Sequence, residues 1–214
     1  MTEKIKLPKK IKVGGLEYDV RFPYKFNGNS GCLGIHNGET TTIRISSENN
    51  TSIILETLLH ESLHALDHVY CGNSIEEDYI AVNARAWLQV LKDNDLYLDT
   101  GKIPKKVNIN CFTYDVVYPY IFEEFEEGLA GQTANTDLEL RLSRTSDGEI
   151  YNDRFTKVCL VYCIQSAITH LYFDLNKEVK SVETLKSKSF AHGWYQILFD
   201  NKLDKLVKKY RKVK

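Results

Sequence analysis

The sequence predicts an α+β protein built from two tandem units, each a small antiparallel sheet of about three strands followed by two helices. Three ordered segments of the chain match three later segments. Within each unit, residues that alternate between apolar and polar precede residues with helical periodicity, and strands followed by helices are typical of α+β proteins. The composition, 43% hydrophobic and 27% charged, is that of a globular protein.

The internal repeat begins near the N-terminus. LPKKIKVGGLEYDVRFPY, which ends at Tyr24, matches IPKKVNINCFTYDVVYPY, which ends at Tyr120, with 8 of the last 17 positions identical. LGIHNGETTTIRIS then matches AGQTANTDLELRLS, and WLQVLKDNDL matches WYQILFDNKL. Because the matches keep their order, they indicate a duplication. We expect one unit at residues 1–98 and a second at 102–214, with a longer loop in the second unit near TSDGEIYND.

The elements of the first unit follow from local patterns. KIKVGGLEYDVRF alternates, and its GG pair predicts the turn of a two-stranded hairpin. A polar loop with glycine follows, and then TTTIRIS predicts a third strand. SSENNT offers N-caps for a helix from about Ser52 to Tyr70. CGNS ends this helix, and a second helix is expected from about Ile75 to Asn94.

The first of these helices carries an HExxH motif in TLLHESLHAL, formed by His60, Glu61 and His64. Residues four apart lie on one face of a helix, so His60 and His64 can offer imidazole nitrogens to the same ion. Zinc prefers such ligands in a tetrahedral set, and a catalytic zinc site leaves one position for water. Glu61 can take the proton of that water as the water attacks a carbonyl. The motif therefore predicts hydrolysis.

A third protein ligand is expected from the start of the second helix, where Glu76, Glu77 and Asp78 are consecutive. Glu77 shares a helical face with the apolar residues Ile80 and Trp87, so it is the preferred ligand. Glu76 is the alternative. About a dozen residues separate this cluster from the last histidine of the motif, which is enough chain to turn back toward the first helix.

Three further residues are candidates for supporting roles. His68 continues the row of histidines, but a straight helix places it about 12 Å from His60, too far for both to bind one ion. His68 is therefore expected to contact substrate or to lie on the surface. His36 could lie near the mouth of the site, although a solvated loop histidine is the favoured interpretation. Asp67 is a candidate hydrogen-bond partner for a ligand histidine.

Residues 8–94 resemble the short HExxH proteins of phages and prophages, which open with a KIKVGG-type hairpin, carry TLLHExLHAL and end with paired glutamates followed by QVLKDN. The order of elements is similar to that of ImmA/IrrE-type zinc metallopeptidases. The resemblance implies a zincin-like fold for each unit, zinc bound by His60, His64 and Glu77, and a catalytic Glu61. It also implies phage or prophage origin and a peptidase activity of unknown substrate.

The second unit is expected to be a degenerate copy. When Trp194 is laid on Trp87 and His170 on His64, the places of His60, Glu61 and Glu77 are taken by Ser166, Ala167 and Thr184. The copy then lacks two ligands and the base, so we expect one Zn²⁺ per chain, in the first unit only. Two units with such similar surfaces are expected to pair internally about a pseudo-twofold axis.

These observations lead to two functional hypotheses. The first is a zinc-dependent metallopeptidase-like hydrolase that acts on a protein or peptide, with the third strand holding the substrate as an added strand. The alternative is a non-catalytic binding or inhibitory protein, for example against a host or defence factor, in which the duplicated fold is a scaffold and zinc is structural.

Charge and hydropathy exclude other classes of partner. Lys and Arg number 28 against 29 Asp and Glu, which makes a nucleic-acid partner unlikely on electrostatic grounds. No window approaches the roughly 18 apolar residues of a membrane helix, and the N-terminus has no apolar signal segment. We expect a cytoplasmic protein, located in the bacterial host cell if a phage encodes it.

Overall fold

A computed structural model of the chain describes residues 5–27, 31–123, 128–146, 149–173 and 180–211. Over these ranges the protein is α+β, with two four-stranded mixed sheets, one two-stranded sheet and six α-helices. The predicted fold class is confirmed. Within the same ranges, no helix has the length and apolar character needed to cross a membrane.

The first sheet contains β1 (Lys10–Val13), β2 (Leu16–Tyr24), β3 (Gly34–Asn37) and β4 (Thr42–Ser46) in the order β1-β2-β4-β3. β2 and β4 run parallel, and the other neighbours are antiparallel. The expectation of about three antiparallel strands was therefore wrong in number and in direction. The strand that was missed is β3, whose four residues, GIHN, are too few and too polar to show alternation. It forms one edge of the sheet.

The second sheet repeats this topology. It contains β5 (Lys106–Ile109), β6 (Phe112–Val117), β7 (Gly131–Ala134) and β8 (Glu139–Leu142) in the order β5-β6-β8-β7, again with one parallel pair, β6 and β8. The predicted extra loop carries a small antiparallel pair, β9 (Thr145–Ser146) and β10 (Glu149–Ile150).

Two helices of the first half follow the predicted pattern. α1 (Thr51–Leu66) begins after Asn50, whose side chain accepts a hydrogen bond from the Ile53 N–H. A π-helical turn, Asp67–Cys71, extends it, and the chain leaves through Gly72 at a φ of 67°. α2 (Glu77–Asp93) follows.

The second half has more helices than predicted. Its first helix is α3 (Asp153–Tyr172), followed by α4 (Lys180–Leu185), α5 (Lys188–Asp200) and α6 (Leu203–Tyr210). The expectation of two helices in this unit was wrong.

One hydrophobic core includes residues from both halves. At its centre Trp87 on α2 and Trp194 on α5 meet edge to face, with ring centroids 5.9 Å apart, and both side chains are fully buried. Aromatic pairs of this geometry stabilise a core beyond their buried area. The two halves are thus joined by packing as well as by the linking segment.

Side-chain amides also cross between the halves in matching positions. Asn94 at the end of α2 accepts from the Asn108 N–H (2.7 Å) and donates to the Asn108 carbonyl (2.8 Å) on β5. Asn201 at the end of α5 makes the same two bonds with Lys12 on β1, at 2.7 and 2.9 Å. Each half thus hydrogen-bonds to the sheet of the other through equivalent residues.

Gln165 on α3 is the polar centre of the buried contact between the halves. Its Oε1 accepts from Trp87 Nε1 (2.7 Å) and its Nε2 donates to Asn83 Oδ1 (3.0 Å), all within the buried interior. We expect Gln165→Leu to lower the free energy of unfolding by about 2 kcal/mol, because it leaves a buried indole N–H without an acceptor.

Urea denaturation measures this change. Gln89→Leu is the matched control, since Gln89 accepts only an exposed hydrogen bond from the Asn110 N–H (3.0 Å) and donates to Asp93 at the surface. Its cost should stay below about 1 kcal/mol. Equal losses in the two variants would contradict the role assigned to Gln165.

Candidate metal centre

Helix α1 places the two motif histidines side by side. The Nε2 atoms of His60 and His64 lie 3.1 Å apart, and both side chains are partly exposed on one face of the helix. The opposite face of α1 is apolar and packs into the core, which fixes the rotation of the helix about its axis. The spacing predicted from the sequence therefore brings the two imidazoles together.

Glu77, the first residue of α2, completes the group. Its Oε1 lies 3.0 Å from His60 Nε2, and its Oε2 lies 3.0 Å from His64 Nε2. One ligand atom from each of the three residues falls within 4.8 Å of the others, so this group could bind a metal ion. Glu77 faces these histidines from a second helix, but its side chain is 66% exposed, so the expectation that it lies on the buried apolar face of α2 was wrong.

Asp67 positions the chain that leads to Glu77. Its buried carboxylate accepts from the Ser74 N–H (3.0 Å) and the Ile75 N–H (3.1 Å). From the sequence, we expected Asp67 to accept a hydrogen bond from a ligand histidine. Both carboxylate oxygens instead bind the turn between the two helices. Asp67 therefore helps to position Glu77 rather than His60 or His64.

Glu76, the alternative third ligand, does not belong to the candidate metal-binding group. It is the N-cap residue of α2, its side chain is exposed, and its backbone N–H donates to Ser181 Oγ at 3.0 Å. Among the residues that the structure describes, it belongs to no cluster with metal-binding spacing. The geometry favours Glu77 over Glu76.

The arrangement fits a small divalent ion. Zinc bonds of about 2.0–2.2 Å in tetrahedral geometry separate neighbouring ligand atoms by about 3.3 Å. The nitrogen and oxygen atoms here are 3.0–3.1 Å apart, so a few tenths of an ångström of side-chain movement would suffice. Two imidazoles and one carboxylate are also the ligand types that zinc accepts at catalytic sites.

Glu61 is a buried carboxyl group beside these ligands. Its side chain is on the inner side of α1, and the residue is only 5% exposed. The pKa of Glu61 is raised to about 8, chiefly by burial; a hydrogen bond from the His36 backbone N–H lowers the pKa, and the negative charge of Glu77 raises it. A strongly perturbed acid in a cleft is a common sign of a functional site.

Strand β3 lies directly against Glu61, and Gly34 makes this contact possible. A Cβ atom at Gly34 would lie 2.5 Å from Glu61 Oε1 and 2.5 Å from Thr57 Cγ2, which is closer than atoms can approach. Sequence reasoning did not single out Gly34 as a site residue. Its match with Gly131 in the internal repeat is the sequence feature that could have identified Gly34 as a position where a side chain does not fit.

His36 lies on β3, so its interpretation as a solvated loop histidine was wrong. The ring is half-buried, 5.2 Å from the Tyr18 ring between centroids, and its Nε2 is buried without a hydrogen-bond partner in the described structure. Burial, together with the nearby His64 and His68, lowers the pKa of His36 to about 4. The imidazole is therefore neutral at physiological pH.

His68 lies on the surface at the end of this row. It is exposed, its ring centroid is 5.9 Å from that of His36, and its ring covers Gly38. It is not part of the group formed by His60, His64 and Glu77. The structure thus agrees with the argument that three histidines at successive turns cannot all reach one ion.

An open cleft of about 470 Å³ adjoins the candidate metal centre. Its walls include Leu33 and Gly34 from the sheet side, with His60, Glu61 and Glu77 at one end. An ion pair between Arg85 Nε and Glu56 Oε1, at 2.9 Å, lies at the rim. The cleft gives a substrate access to both the ligands and the base.

Two structural markers align the second half with the first. Asn152 caps α3 by accepting from the Phe155 N–H, as Asn50 caps α1. A Cβ atom at Gly131 would lie 3.0 Å from Cys163 Sγ, whereas a Cβ atom at the equivalent Gly34 would lie 2.5 Å from Glu61 Oε1. Both markers place residue 163 on residue 61, an offset of 102.

With this register Tyr162, Cys163 and Ser166 occupy the places of His60, Glu61 and His64. The sequence alignment, which laid His170 on His64, was therefore wrong by one helical turn, and His170 corresponds to His68. The spacing from Trp194 does not give the register of α3, because extra residues, including α4, lie between α3 and α5. The conclusion that this half lacks the ligand pair is unchanged.

Comparisons of the chain with protein-family models, with curated proteins and with solved structures give no match. The geometry of the candidate metal centre is therefore the basis on which a function can be proposed.

Proposed function

We propose that this protein is a zinc-dependent, metallopeptidase-like hydrolase of zincin-like fold, with zinc bound by His60, His64 and Glu77 and with Glu61 as the base. The observation that carries the proposal is the buried Glu61 carboxyl group beside a two-histidine, one-carboxylate group at an open cleft. A zinc ion that served only the fold would need no base next to its ligands, and burying an ionisable group at such a site costs stability.

The chemistry divides between the ion and Glu61. A bound zinc ion polarises a carbonyl group and makes water more acidic, and its charge favours the ionised form of a neighbouring carboxylate. Glu61 takes a proton from the attacking water through a carboxylate oxygen as the new carbon–oxygen bond forms. The protonated carboxyl group then gives that proton to the leaving nitrogen as the carbon–nitrogen bond breaks.

Strand β3 is the element on which an extended peptide would bind. From the sequence, we expected the strand of TTTIRIS to hold the substrate, but that strand, β4, lies between β2 and β3 and has no free edge. The Leu33 carbonyl accepts from the Ser46 N–H (2.8 Å), so by alternation Gly34 and His36 direct their backbone groups away from β4, where the His36 N–H donates to Glu61 and would have to exchange this partner for the peptide. A peptide added at this edge would run along Glu61.

The second candidate function is that of a non-catalytic binding or inhibitory protein. One observation favours it: the second half keeps the sheet and helix arrangement of the first while three chemically different side chains, Tyr162, Cys163 and Ser166, replace those of the motif. A fold that persists without its reactive groups can serve as a scaffold for recognition. In that case the metal would be structural.

Metal analysis of the purified chain tests the metal assignment. We expect one zinc ion per chain, and we expect His60→Ala to lose it, because a histidine and a carboxylate alone hold zinc weakly. His68→Ala is the matched control, since it removes an imidazole from the same helix outside the group and should keep the ion. Two ions per chain, none, or a metal other than zinc at stoichiometric occupancy would contradict the assignment.

A further inference from the structure

A second cavity, of about 230 Å³, lies in the second half between β7, α3 and α5. Its lining is mostly apolar and aromatic, with the side chains of Leu129, Tyr151, Phe155, Val158 and Tyr162. The candidate metal centre does not reach this cavity, and the proposed hydrolysis makes no use of it.

This cavity is the counterpart of the cleft beside the metal centre. Under the register fixed above, the same positions line both spaces, but their chemistry differs. The equivalent pairs are Gly34 and Gly131, Ile53 and Phe155, Glu56 and Val158, Thr57 and Cys159, and His60 and Tyr162. The acidic Glu56 of the first half is thus replaced by the aliphatic Val158 in the second, and the candidate metal ligand His60 is replaced by the phenol of Tyr162. The space is present in both halves, and in the second it suits an apolar group.

Covalent chemistry in this cavity is disfavoured. Burial raises the pKa of the Cys159 thiol to about 12, an effect that the nearby Lys188 charge opposes only in part. A thiol with such a pKa is protonated at neutral pH and is a poor nucleophile. The cavity is therefore better suited to non-covalent binding.

The charges at the cavity select an anion. None of the described residues that line it is acidic, while Lys188 and His192 are both exposed at its edge. Lys188 is the first residue of α5, where the helix dipole adds partial positive charge. In the part of the chain that the structure describes, no carboxylate forms an ion pair with Lys188.

We propose that this cavity binds a small carboxylate with an aromatic or branched apolar body. The apolar body would lie against Phe155, Val158 and Tyr162, and the carboxylate would meet the Lys188 ammonium at the mouth. An apolar cavity of about 150 Å³ holds a benzene ring. The 230 Å³ measured here leaves room for a ring and a short chain. This inference does not depend on the proposed hydrolase activity.

Methyl-resolved NMR titration with 3-phenylpropionate tests the proposal, with 3-phenyl-1-propanol as the neutral probe of matching shape. We expect saturable shifts of the Val158 methyl groups and about tenfold tighter binding of the acid, the effect of one charge-assisted contact. Lys188→Met should remove this preference. Lys186→Met removes a charge two residues away, outside the cavity lining, and should preserve it.

The readout distinguishes this cavity from the metal centre, which could itself bind a carboxylate. Shifts centred on Ile53, which lines the first cleft, would mean that the probe binds there and would overturn the proposal. Equal affinity for acid and alcohol, no saturable shift at Val158, or equal effects of the two lysine variants would also overturn it.

Discussion

Glu61→Gln is expected to keep the metal and to abolish peptide hydrolysis, with a loss of roughly 100- to 10,000-fold in kcat/KM, the usual contribution of a general base. The amide has the size of the carboxyl group but cannot accept a proton from water. Because Glu61 is buried, a neutral side chain is also compatible with the fold. Cleavage of a quenched-fluorescent peptide library, measured beside metal content, provides both readouts.

Glu76→Gln is the matched control for this experiment. It makes the same chemical change on an exposed residue outside the metal-binding group, so turnover and metal content should not change. If Glu61→Gln lost the metal, Glu61 would be part of the metal-binding structure rather than a base. If the wild-type protein cleaved no peptide and its biological activity survived Glu61→Gln, the non-catalytic binding protein would be the better hypothesis.

Gly34→Ala is expected to damage both stability and activity. The added methyl group would overlap Glu61 Oε1 and Thr57 Cγ2 at 2.5 Å each, so these side chains or β3 itself must shift. Overpacking of this kind costs about 1–3 kcal/mol of unfolding free energy. Activity should fall further than stability alone explains, because the movement separates the strand edge from the base. Urea denaturation and the peptide assay measure the two effects.

Gly15→Ala supplies the comparison for this substitution. No atom lies within 4 Å of a Cβ at Gly15, and its backbone is not in the left-handed region. The alanine variant should be as stable as the wild type or slightly more stable, because alanine restricts the unfolded chain. Equal losses in the two glycine variants would show that β3 does not press on Glu61 as described.

Local periodicity predicted much of the candidate metal centre. His60 and His64 are neighbours through helical geometry alone, so their proximity needs no knowledge of the tertiary fold. Glu77 lies at the start of α2, about a dozen residues after the motif, as expected, although its side chain is exposed and does not share the buried face of α2. The α1 and α2 boundaries also agree with the sequence to within a few residues, because an N-cap asparagine and a left-handed Gly72 mark the ends of the first helical segment.

The remaining features of the site depend on contacts between residues far apart in the sequence, which local patterns do not reveal. β3 is stable only because β4 supplies its hydrogen bonds, and the burial of His36 follows from the packing of β3 against α1. The role of Asp67 required the path of the turn that returns to Glu77. The register of α3 required its cap and its glycine contact, because one histidine shared between two helices is too weak a marker to fix an alignment.

The two halves are joined by equivalent side-chain hydrogen bonds, from Asn94 to β5 and from Asn201 to β1, and this arrangement affects how each half can evolve. In a dimer of two identical chains, each substitution appears in both subunits at once. In a single chain with two halves, each position can change alone. The second half can therefore exchange the side chains of the HExxH motif for Tyr162, Cys163 and Ser166, while it still packs against the first half.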